Sequence, residues 1–140
     1  MDLSKSRPLV GLITDTLAAC LVAGILTFAG PCTHSSAYQS PCFGASRAIL
    51  AASALIMVLS TIRIFEMDEG ERRGLDLGIA LIGAYVALTP GIIQDLCKFE
   101  FMPCVQVMAP YARLIGTLIA VVAFADLTKR LTAIGKDANA

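Results

Sequence analysis

Apolar residues are gathered into four blocks along the chain, and the polar residues fall mainly between them. The blocks are 9–29 (LVGLITDTLAACLVAGILTFA), 45–65 (ASRAILAASALIMVLSTIRIF), 75–93 (LDLGIALIGAYVALTPGII) and 105–127 (VQVMAPYARLIGTLIAVVAFADL). Each approaches or exceeds the ~20 residues that cross a bilayer core about 30 Å thick at ~1.5 Å of helical rise per residue. None keeps a polar face along most of its length, as a soluble amphipathic helix would. Punctuation agrees with the blocks: Gly30-Pro31 closes the first and Pro41 precedes the second. Gly70 and Gly74 flank the turn GERRG before the third, and Pro90 interrupts the third near its far end, where a kink is expected. The pattern predicts an all-α membrane protein, a four-helix transmembrane bundle built from two hairpins. Residues 1–130 form its single domain and 131–140 a flexible cytoplasmic tail.

Composition supports the membrane assignment. The 140 residues are 56% hydrophobic and 16% charged, against about 45–50% and about 25% in an ordinary soluble domain. The formal net charge is zero, and no basic face stands out, so nucleic acid is not an expected partner. Of the 11 basic residues, Lys5, Arg7, Arg63, Arg72, Arg73, Lys129, Arg130 and Lys136 lie in or beside the two tails and the 66–74 loop. Short loops rich in Lys and Arg stay in the cytoplasm. Both termini are therefore expected in the cytoplasm, in a multi-pass protein of the cell (inner or plasma) membrane, with the 31–43 and 94–104 loops facing outward. A cleaved signal peptide fits less well than a retained first span, because the apolar run is long and LTFAGPC is a poor cleavage site. A lipoprotein box at LAAC (17–20) also fits less well, because Asp15 breaks the apolar run and more apolar sequence follows Cys20.

The cysteines follow the same division. Cys20 lies mid-span, where a lone thiol packs as a small apolar group. Cys32, Cys42, Cys97 and Cys104 all fall in the two outward loops, on the side of the membrane where disulfides persist. Three pairings are possible. Each loop holds an even number, which favours Cys32–Cys42 and Cys97–Cys104 and leaves cross-loop bonds open. Proline precedes three of the four, as Pro31, Pro41 and Pro103, and restricts the directions these thiols can take. There is no Cys-x-x-Cys, so structural disulfides are expected in place of a low-pKa redox pair. Cys32, His34 and Cys42 offer sulfur and nitrogen, but at spacings unlike a structural zinc site. Neither a metal nor a cofactor is expected.

Charges within the spans are few. Arg47 and Arg113 lie one to two turns inside the outer ends of the second and fourth blocks, with Asp95 and Glu100 as the nearest acids. The four could form an outer-leaflet cluster able to hold an anionic headgroup or a partner's carboxylate, or the two arginines could simply snorkel. Asp15, between Thr14 and Thr16, is an intramembrane acid expected to make a packing or partner contact. Small residues recur at four-residue spacing, as Gly83, Ala87 and Gly91, and as Ala112, Gly116 and Ala120, which lets helices approach closely in lipid. The chain has no phosphate-binding loop, nucleophile elbow or zinc-protease motif. With His34 the single histidine, no catalytic residues are expected.

The second outer loop, LCKFEFMPCVQVMAP, resembles a segment of a bacterial four-span membrane family, the domain of unknown function 4418. The shared features are Cys97, Met102, Pro103, Cys104 and Pro110. Cys32 and Cys42 sit at similar places around the first outer loop. The chain departs after Cys42, where FGASRAI replaces the family's histidine, tryptophan and acid. The resemblance implies a small accessory membrane protein, associated with an ABC-type (MacB-like) permease. Its partners would be the bilayer and that permease or further copies of itself. A quinone-linked four-span thiol–disulfide oxidoreductase is the first alternative, and a lipid or ion carrier using Arg47, Arg113 and Asp15 the second.

Overall fold

The computed structural model describes residues 3–30, 41–65, 68–96 and 104–137. They form four α-helices, α1 (Leu3–Thr27), α2 (Pro41–Phe65), α3 (Glu69–Leu88) and α4 (Ala109–Asp137), with a π-helical turn, Cys104–Met108, running into α4. No strand occurs among the described residues. Helices α1, α2 and the Cys104–Ala133 stretch are long and apolar enough to cross a membrane. Helix α3 has 20 residues, of which the first two turns are the charged segment EGERRGLD.

The helices pack as a ring in chain order. Helix α3 meets α4 most extensively, then α1 meets α2, and α2–α3 and α1–α4 contacts close the ring. The core is made of Leu21, Ile25, Ile49, Ile56, Ile79, Val86, Met108 and Ile119, all 2% exposed or less. Outside, Leu12, Leu26, Val58, Leu81, Leu118 and Phe124 remain exposed. An apolar exterior over an apolar core is what lipid on one side and helices on the other require.

The α3–α4 seam explains the small residues. A Cβ on Gly83 would lie 2.9 Å from the Ala120 nitrogen and 3.1 Å from the Gly116 carbonyl oxygen. One on Gly116 would lie 2.7 Å from the Ala87 nitrogen. The two small-residue runs are thus pressed backbone to backbone. On the opposite side Gly24 of α1 leaves a notch for the ring of Tyr111, whose hydroxyl donates to the Cys20 carbonyl at 2.7 Å.

Several boundaries differ from the sequence expectation. The third block does not continue to 93 with a kink; α3 stops at Leu88, and Thr89 caps it by donating its backbone N–H to the Tyr85 carbonyl. Pro90 cannot donate to a helical ladder. Gly91 turns the chain with φ +84, a region glycine enters without strain. The Ile93 and Gln94 N–H groups then return to the carbonyls of Leu88 and Thr89. The expected 66–74 loop is largely helix, because Asp68 acts as N-cap and accepts from the Gly70 N–H at 2.9 Å. Pro41 and Cys42 open α2 and do not lie in a loop, with Pro41 at the first helical position, where its missing N–H costs nothing. Residues 131–137, expected as a tail, continue α4 helically, since no proline stops the ladder there.

Candidate functional site

The strongest polar feature inside the bundle lies where α2 ends, α3 begins and α4 nears its end. Arg63 sits in the last turn of α2 and is 4% exposed. Its Nε lies 2.5 Å from an Asp76 carboxylate oxygen on α3, and its Nη2 contacts Asp126 on α4 at the same distance. Arg130, one turn after Asp126, places its Nε 2.9 Å from Asp126 and 3.6 Å from Asp76. Two guanidiniums and two carboxylates thus form one closed, neutral group. Asp76 is 1% exposed, and either charge alone in such a place would cost several kcal/mol. Arg63 is also well placed by the α2 backbone, whose C-terminal carbonyls favour a cation.

The other helix contributes space. A Cβ on Gly11 of α1 would meet Ile64 at 3.0 Å and the Arg63 guanidinium at 3.8 Å. One turn along, Ser60 of α2 donates its hydroxyl to Asp15 at 2.8 Å. Asp15 therefore joins α1 to α2. The adjacent Thr14 and Thr16 hydroxyls donate to carbonyls within α1 itself.

At the opposite end Arg113 donates from Nη2 to the Pro90 carbonyl at 2.8 Å. Arg47 lies over the Phe43 ring, 5.2 Å from its centroid. Asp95 is exposed, and no ion pair links Arg47, Asp95 and Arg113 among the described residues. Glu100 lies outside the described residues, as do Cys32, His34 and Cys97. Cys42 and Cys104 are fully buried in the core at this end, at the start of α2 and of the π-helical turn. Cys20 is exposed on α1.

A groove of about 720 Å³ runs beside Arg113 on α4. Leu96, Val105, Ala109, Pro110, Leu114, Thr117 and Leu118 line it with that arginine.

Sequence reading placed Arg63 and Arg130 on the positively charged side of the membrane but did not join them to Asp76 and Asp126. The usable signal was modest: Asp76 and Asp126 each interrupt an apolar run, and Asp126–Arg130 has helical i,i+4 spacing. Chemically, the group can hold three helices in register and leaves neither carboxylate without a guanidinium.

No curated protein and no solved structure matches the chain. The model of the family described as Domain of unknown function (DUF4418) matches residues 15–129, a stretch that contains Arg63, Asp76, Asp126 and the Gly83–Gly116 contact between α3 and α4. With most of its length so matched, the chain belongs to the DUF4418 family.

Proposed function

We propose that this protein is a non-enzymatic accessory subunit of the cell envelope, attached to a larger membrane protein such as an ABC-type permease. Both termini lie in the cytoplasm in this proposal, and the outer loops are held by disulfides among Cys32, Cys42, Cys97 and Cys104. The observation that carries it is the compensation of charge at the end of the bundle where α2 ends and α3 begins. Arg63 and Arg130 are occupied by Asp76 and Asp126, and Asp15 by Ser60. A carrier or proton path needs ionisable groups that exchange partners along a route. A bundle that spends them on holding itself together suits a scaffold whose outer faces meet lipid and a partner.

Burial of Cys42 and Cys104 supports a structural use of the outer cysteines over thiol exchange, which requires access to an attacking thiolate. Affinity purification of the tagged chain in mild detergent tests the proposal. Recovery of a permease in stoichiometric amount is the expected result, whereas repeated recovery of the chain alone or as a homo-oligomer counts against it. Alkylation before and after reduction tests the cysteines, with four thiols expected to become reactive only after strong reductant.

A further inference from the structure

The groove beside Arg113 has the chemistry of one half of a phospholipid. Its walls are aliphatic, from Leu96, Val105, Leu114 and Leu118. It lies along a helix long and apolar enough to cross a membrane, beside which a bilayer would supply lipid. Its volume of about 720 Å³ lies within the roughly 300–1,000 Å³ of ligand pockets. Among the described residues that line it, Arg113 is the one cation, and it is held in place. The Pro90 carbonyl accepts from Arg113 Nη2 at 2.8 Å. Gly91 leaves the space that the guanidinium occupies, since a Cβ there would lie 3.1 Å from Nη2.

One contact to a carbonyl neutralises none of the charge, and a guanidinium carries five N–H donors. Arg113 remains exposed and forms no ion pair with Asp95 among the described residues. A guanidinium braced by backbone, next to an aliphatic furrow, matches a phosphate diester with an acyl chain attached.

We infer that the groove binds one anionic phospholipid, with its phosphate on Arg113 and an acyl chain along Leu114, Thr117 and Leu118. The lipid belongs to the leaflet at the end of the bundle where α2 and α4 begin. This site is independent of any permease contact.

The test is native mass spectrometry of the full-length chain, delipidated in mild detergent and supplied with phosphatidylglycerol or phosphatidylcholine. Phosphatidylglycerol is expected to be retained in preference, as one copy per chain. Arg113→Gln should lower that retention roughly tenfold, the ratio set by loss of one charge-assisted contact. Arg47→Gln, which removes an exposed arginine at the same end of the bundle, should leave it unchanged. Thr117→Trp, which fills the furrow and keeps the Pro90 contact, should abolish retention and decides the matter if Arg113→Gln does not fold. Equal retention of the two lipids, or undiminished retention in Thr117→Trp, overturns the site. So does a dimer that excludes lipid and is dissociated by Thr117→Trp, because a second copy would then occupy the groove.

Discussion

Gly116 marks a close backbone-to-backbone approach of α3 and α4, since even one added carbon would stand 2.7 Å from the Ala87 nitrogen and 2.9 Å from the Gly83 carbonyl oxygen. Both neighbours are backbone and cannot swing aside. Gly116→Val is therefore expected to destabilise the folded bundle by about 1–3 kcal/mol, the usual cost of overpacking, measured as a shift in SDS-induced unfolding in mixed micelles. Tyr111 shows a gentler dependence. Its ring fills the notch at Gly24, meets Phe28 edge to face at a centroid distance of 5.1 Å, and ties its hydroxyl to Cys20. Tyr111→Phe keeps the ring and loses only the hydrogen bond, so the same measurement should show a loss of about 0.6 kcal/mol, typical of hydrogen bonds between membrane helices. The small-residue spacing made the first site legible from the chain alone. The second was not, because a tyrosine gives no sign of which glycine on another helix receives it.

Between elements, the Arg63–Asp76–Asp126–Arg130 group joins α2, α3 and α4. Arg63→Leu leaves two carboxylates sharing one guanidinium, and breaking a buried pair in this way costs about 3–5 kcal/mol. Arg63→Leu combined with Asp76→Leu leaves Asp126–Arg130, a neutral pair at 2.9 Å. The double variant should therefore be more stable than Arg63→Leu alone, and a double-mutant cycle in the same unfolding assay reads the coupling directly. If the two losses simply add, the group is not the unit described. Local chemistry also sets the element ends. Asp68, Thr89, Pro90 and Gly91 start or stop α3 through caps and missing donors. The apolar block 75–93 obscured that stop, because hydropathy does not register a missing N–H.

For the molecule as a whole, the start of α1 and the end of α4 both lie at the Arg63 end of the bundle, through Gly11 and Asp126. Reporter fusions at residue 1 and residue 140 should then show the same side of the membrane, and the cytoplasmic side on the distribution of Lys and Arg. Opposite sides would mean that α3 does not cross. Helix α3 is the element on which this turns: its 20 residues span about 30 Å, yet its charged first turns set it apart from the three more uniformly apolar helices. Its burial partners compensate for that polarity, with Asp76 paired to Arg63 and Gly83 seated against α4.

The sequence by itself determined the helical class, the presence of four helical segments and the small-residue runs, because apolar length and close packing are written in local composition. It also identified the family, through the cysteine and proline pattern of the second outer loop. Tertiary structure alone decided which charges meet. Arg63, Asp76, Asp126 and Arg130 lie up to 67 residues apart, and each is ambiguous on its own: an arginine near a span end reads equally as a topology signal. Only the packing of three helices at one end brings them within 4 Å of one another in pairs. Electrostatic pairing depends on distance through space, and no local pattern encodes that.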